Sequence, residues 1–115
     1  MAAESRPYVV ITGASGNIGS ALALALSRDY AVIGLDRSPG EGSFPSIACD
    51  LASDESVRTA LAELRNRFGA RIAAVVHLAA YFDFSGEDSP LYEQVNVAGT
   101  RRLLAGLQGF EVEQF

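Results

Sequence analysis

ITGASGNIGSALALALS, residues 11–27, decides the fold. A β-branched run, Tyr8-Val9-Val10-Ile11-Thr12, halts at Gly13, and an alanine- and leucine-rich run begins at Asn17. Between them Gly13, Gly16 and Gly19 stand three apart. A β-branched run stopped by glycine reads as a buried strand. Residues 17–27 are ambiguous by pattern, because Leu22, Leu24 and Leu26 alternate as they would in a strand. Alanine and leucine are the better helix formers, and Ile18, Leu22, Ala25 and Leu26 share one helical face. The segment is read as a helix, which places the glycines in a strand-to-helix turn.

The pattern repeats downstream. Residues 31–35, AVIGL, form a second strand ending at Asp36, and residues 37–43, RSPGEGS, form a loop by composition. Residues 46–49 make a weak third strand. Ser53 followed by Asp54 and Glu55 starts a second helix, with a capping hydroxyl and two carboxylates near the positive end of the helix dipole. That helix aligns Val57, Leu61, Leu64 and Phe68 and stops at Gly69. Residues 72–78, IAAVVHL, form a fourth strand, apolar throughout and therefore covered on both faces. Residues 81–87 form a loop. Ser89-Pro90 caps a third helix that runs to about Leu107, with Gly109 marking its end. Alternation of this kind builds an α/β, doubly wound parallel sheet with right-handed crossovers.

Composition narrows the function. The chain has 115 residues, room for one domain, and its net charge of −5 argues against nucleic-acid binding. The Arg101-Arg102 pair reads as solvated helix surface. A single cysteine, Cys49, excludes an internal disulfide and any cysteine-based zinc site, and is expected to serve as a small buried hydrophobe. The polar start, MAAESR, carries no secretory signal, and no apolar run approaches the roughly 20 residues of a membrane span. A cytoplasmic, soluble protein is expected. All nine basic residues are arginine. With no lysine, a Walker-type phosphate loop and every Schiff-base mechanism are excluded.

In a doubly wound sheet the first strand-to-helix turn sits at the mouth of the crevice where ligands bind. The helix start there offers unpaired N–H groups and a positive dipole end, which together stabilise a phosphate. A side chain on Gly13 would obstruct the turn, one on Gly16 would hold a pyrophosphate off the amides, and one on Gly19 would push helix from strand. An ordinary glycine-rich turn is the competing reading. Asp36, 17 residues after Gly19, strengthens the dinucleotide alternative, since a carboxylate at that spacing takes the hydroxyls of an adenosine ribose. It repels a 2′-phosphate and favours NAD. Arg37 beside it leaves NADP possible, because a guanidinium can receive that phosphate or stack on adenine.

TGASGNIG, residues 12–19, resembles the TGxxGxxG form of the extended short-chain dehydrogenase/reductase family, the NAD-dependent epimerase/dehydratase group. CDL at residues 49–51, VVHLAA at 75–80 and VNVAGT at 95–100 resemble that family's later motifs, in order. The resemblance implies a Rossmann fold and a role for each matched position. Asn17 and Ile18 would lie over the pyrophosphate through their amides. Asp50 would bond the adenine amino group, with Leu51 against the ring; a capping carboxylate is the other reading of Asp50. Leu78, Ala79 and Ala80 would line the ribose and nicotinamide side. Asn96 would hold its helix beside the fourth strand and help order the nicotinamide end, by direct cofactor contact; a polar residue that takes up a strand's hydrogen bonds is the other reading of Asn96. His77, inside an apolar strand, reads as a satisfied core group rather than a proton carrier.

The chain departs from the family in its chemistry. The family resembles a tyrosine-based acid–base system, with a lysine four residues after the tyrosine. Here Tyr8, Tyr30, Tyr81 and Tyr92 are followed at that spacing by Thr12, Gly34, Ser85 and Asn96. The resemblance therefore implies the cofactor-binding N-terminal part of a longer oxidoreductase, epimerase or dehydratase acting on a nucleotide sugar, sterol or similar alcohol, with no catalytic residue of its own. A non-catalytic dinucleotide-sensing regulator of the same fold is the alternative. The chain is expected to stop before its fifth strand, leaving the edge of residues 72–78 open to pairing with a second copy.

Overall fold

A computed structural model describes residues 7–39 and 44–115. The polar start and the second half of the loop expected over residues 37–43 lie outside the described residues. The strands β1 (Tyr8–Thr12), β2 (Val32–Asp36), β3 (Ser46–Ala48), β4 (Arg71–His77) and β5 (Glu111–Gln114) form one sheet in the order β3-β2-β1-β4-β5. Every pairing is parallel. The helices are α1 (Asn17–Leu26), α2 (Asp54–Phe68) and α3 (Ala98–Gly106), the last entered through π-helical turns over Tyr92–Val97.

Strand alternation divides the core. On one face Tyr8, Val10, Ile33, Leu35, Ile72 and Val75 pack with Leu61 and Leu64 of α2 and Leu103 of α3. On the other, Val9, Ile11 and Val32 pack with Ala14 and Ala23, under α1. Burial pushes the Tyr8 phenol up to about 12, which keeps it a donor to the Gly69 carbonyl at 2.6 Å. The Ser53 hydroxyl accepts from the Ser56 amide at 3.1 Å, with Asp54 and Glu55 in the first turn of α2, as its sequence predicts. Among the described residues no helix is long and apolar enough to cross a membrane.

Three expectations are corrected. The fifth strand is present: Glu111–Gln114 pairs with β4, Ile72 opposite Val112, and the Glu111 amide donates to Ala70 at 2.7 Å. Its sequence, EVEQ, lacks the apolar density of a strand, and the neighbouring β4 backbone supplies the order that composition does not. The half of β4 nearest Arg71 is therefore covered by β5 and is not open to a second copy. Second, α1 buries Gly19 and Ala23, with Leu22 and Leu26 half-buried, while Ile18 is 74% exposed and Ala25 exposed. A glycine at position 19 lets the helix sit close on that side, turning Ile18 outward. Third, Arg102 is no solvated surface residue: it pairs with Asp54 and donates to the Leu51 carbonyl at 2.7 Å and the Gln94 carbonyl at 3.0 Å.

Candidate functional site

The carboxyl ends of β1, β2 and β4 converge on a cleft of about 510 Å³, within the range of cofactor sites. Gly13 opens it with φ of +71°, a left-handed conformation that L side chains rarely adopt. A Cβ there would also lie 2.9 Å from the Ala79 amide nitrogen. Gly19 closes the turn: its Cβ would stand 2.2 Å from the Gly13 carbonyl oxygen, so glycine is what allows α1 to touch the strand exit. Gly16 differs. A Cβ there meets only the Gly13 oxygen, at 3.4 Å, so the backbone faces open space.

The two helix starts contrast. Ser53 and two carboxylates satisfy α2, whereas Gly16 caps α1 without a side-chain hydrogen bond and its first turn holds no acid. The first intrahelical bond of α1 runs from Ser20 to the Gly16 carbonyl, 2.8 Å. The amides of Asn17, Ile18 and Gly19 precede it and make up the helix's orphan donors. Such an end stabilises an anion.

Nine of the thirteen expected residues line the cleft: Gly13, Gly16, Asp36, Arg37, Asp50, Leu51, Leu78, Ala79 and Ala80. Asn17, Ile18 and Gly19 form the start of α1 at its edge. Asn96 stands outside it. Its side chain accepts from the Tyr81 amide at 2.8 Å and donates to the Tyr81 carbonyl at 3.0 Å, clamping the backbone just past β4. The Asp50 carboxylate accepts from the Ala52 amide at 3.0 Å through one oxygen, so it caps a turn while lining the cleft. Cys49 is buried as expected, yet it lines the cleft between Asp36 and Asp50. Burial first, then those two carboxylates, push its thiol up to about 11, leaving it inert.

Sequence reasoning missed Thr12, Ser15 and Val95. Of these Thr12 is the most connected. Its hydroxyl oxygen accepts from the Leu78 amide at 3.0 Å and the Ala79 amide at 3.1 Å, and lies 2.7 Å from His77 Nδ1. With two acceptor sites filled, Thr12 donates its own proton to Nδ1. Nε2 therefore carries the ring proton and donates to Thr100 Oγ1 at 3.0 Å, and that hydroxyl donates to the Asn96 carbonyl at 2.8 Å. The chain ties the ends of β1 and β4 to the helix bearing the Asn96 clamp. His77 is thus a satisfied structural group, as its sequence position suggests.

Burial lowers the His77 pKa from its ordinary 6.5. The unfolded chain then binds a proton that the folded chain resists, so the contribution is complete above pH 6.5 and is lost as pH falls below it. Protonation would also place a second donor opposite a Thr12 oxygen with no acceptor site left. The urea midpoint should fall as pH drops below 6.5, and His77→Gln should flatten that slope, because His77 is the sole histidine. An unchanged slope in the variant would contradict this assignment.

Comparison with known proteins bears on this geometry. The model of the NAD dependent epimerase/dehydratase family matches residues 9–115. A short-chain dehydrogenase/reductase of Penicillium canescens, olcF, is 32% identical over 85 residues, covering 68% of this chain and 33% of its own. A short-chain dehydrogenase/reductase superfamily protein from Agrobacterium tumefaciens, solved with bound NAD, superposes with a TM-score of 0.72 at 27% identity, over 91% of this chain and 30% of that one. The Thermus thermophilus UDP-glucose 4-epimerase, solved with NAD, gives 0.69 at 30% identity, over 86% and 33%. This chain thus spans about a third of the length of these relatives. A glycine turn under an uncapped helix, an acid closing β2 and a family match from β1 to the last residue all agree: the chain belongs to the NAD-dependent epimerase/dehydratase family.

Proposed function

We propose that this chain binds a dinucleotide, NAD in preference to NADP, in the cleft at the carboxyl ends of β1, β2 and β4. The observation that carries the reading is the uncapped start of α1 at the edge of a cleft that Asp36 also lines. The orphan amides of Asn17, Ile18 and Gly19 receive the diphosphate, with Gly13 and Gly16 leaving the approach clear. Asp36 takes the adenosine ribose hydroxyls, and Arg37 flanks the adenine. Asp50 retains acceptor capacity for the adenine amino group, and Leu51 packs against the ring. Leu78, Ala79 and Ala80 line the nicotinamide side, held in place by Thr12 and by the Asn96 clamp. The bound nicotinamide would supply hydride chemistry. This chain's residues bind and orient it.

We further infer that residues 1–115 carry no turnover alone. The sequence has no lysine to lower a tyrosine pKa, and the Tyr8 and Tyr92 hydroxyls are engaged with the backbone at Gly69 and Asp83. The whole protein would then be an oxidoreductase, epimerase or dehydratase whose acid–base pair lies in a further segment. A dinucleotide sensor draws on the same lack of lysine, and a Tyr-x-x-x-Lys pair farther along the parent chain would decide for the enzyme. Calorimetry tests the binding step. NAD should bind at least tenfold more tightly than NADP, because a 2′-phosphate meets the Asp36 carboxylate. Equal affinities would overturn the Asp36 role, and measured turnover of a secondary alcohol by residues 1–115 would overturn their silence.

A further inference from the structure

The Asp36 carboxylate is held by one residue from two directions. The Ser15 amide donates to Oδ2 at 3.0 Å and the Ser15 hydroxyl donates to Oδ1, also at 3.0 Å. Asp36 is 8% exposed at the end of β2, whereas Ser15 is exposed in the glycine turn. The grip therefore ties the β2 terminus to the loop that leads into α1.

We propose that Ser15 is a specificity-determining positioning residue, which aims Asp36 so that the carboxylate accepts a ribose vicinal diol and turns away a 2′-phosphate. The proposal rests on the dinucleotide reading above and adds to it a residue outside the glycine positions. A carboxylate offers about four acceptor sites, two on each oxygen. Among the described residues Ser15 fills one on each. One site per oxygen remains, the number that two adjacent hydroxyls of a ribose require. Without the Ser15 hydroxyl, Oδ1 loses its anchor and the carboxylate pivots about the single bond to the Ser15 amide. The diol then meets a mobile acceptor, and a 2′-phosphate meets a charge free to swing aside, with Arg37 next in the chain to receive it.

Calorimetry on the purified wild-type, Ser15→Ala and Ser15→Thr proteins tests this with three probes: NAD, NADP and an NAD analogue whose adenosine ribose lacks both hydroxyls. Ser15→Ala should weaken NAD about five- to tenfold, the loss of one hydrogen bond to a charged group. It should leave the analogue within about twofold and narrow the preference for NAD over NADP. Ser15→Thr keeps the hydroxyl and should restore NAD binding. A merely structural role would weaken NAD and the analogue alike, and that result, or an unchanged NAD affinity in Ser15→Ala, would overturn the proposal. Failure of the wild-type protein to bind NAD would overturn the dinucleotide reading and this proposal together, a result distinguishable from the first two.

Discussion

Gly19→Ala should cost about 3 kcal/mol of folding stability, the upper end of ordinary overpacking, and abolish measurable NAD binding with it. The added Cβ falls 2.2 Å from the Gly13 carbonyl oxygen and 2.8 Å from the Ala14 Cα, both backbone atoms that a rotamer change cannot move. Either α1 lifts from the strand exit or the turn reshapes, and both displace the amides of the helix start. Gly16→Ala separates the two effects. Its Cβ finds only the Gly13 oxygen, at 3.4 Å, and its φ of −74° suits alanine, so the urea midpoint should hold. The methyl group nonetheless stands where a diphosphate would approach, and NAD affinity should fall about tenfold. Retained affinity in Gly16→Ala would show that the ligand does not approach this backbone.

Thr12→Val carries the second large effect. Valine has nearly the same shape, so the 1% exposed site stays filled while the hydroxyl is lost. The Leu78 amide keeps the Thr12 carbonyl at 3.2 Å, but the Ala79 amide and His77 Nδ1 lose their partner. Leaving a buried polar group unsatisfied costs about 1–3 kcal/mol, so two predict a loss of about 2–6 kcal/mol. Thr12→Ser, which keeps the hydroxyl, should lose less than half as much. Urea denaturation measures both, and equal losses in the two variants would mean that methyl packing, not the hydroxyl, is what the site uses.

Local patterning made the architecture readable, and tertiary contact explains what it left out. Residues 8–12 and 17–26 take the structure their composition favours, and Ser53 with Asp54 and Glu55 marks the start of α2 to the residue. β5 was not readable, because Val112 is its only apolar residue and pairing with β4 determines its structure. The outward turn of Ile18 was hidden for a related reason: helical periodicity counts apolar side chains, whereas α1 seats itself through the absence of one at Gly19. Arg102 shows the same limit for charge. An arginine pair on a helix looks solvated until the carbonyls of Leu51 and Gln94 come within reach.

The candidate site follows the same division. Positions whose role lies in the backbone or in strand-end placement, Gly13, Gly19 and Asp36, could be found from spacing. Thr12 and Ser15 could not, since their importance is a matter of what faces them across the sheet: two amides and a ring nitrogen for one, a carboxylate 21 positions away for the other. A threonine closing an apolar β-branched run is the signal a sequence reader could use, because a buried hydroxyl there must find partners.

In the proposed complex the helix start of α1 receives the diphosphate of a dinucleotide. Titration of the isotope-labelled protein with NAD, followed by amide NMR, tests this most directly. Saturable shifts should centre on Gly16, Asn17, Ile18 and Gly19, with smaller ones at Ser15 and Asp50, and α2 should stay still. Shifts concentrated on α2 or α3, or none at all at millimolar NAD, would contradict it.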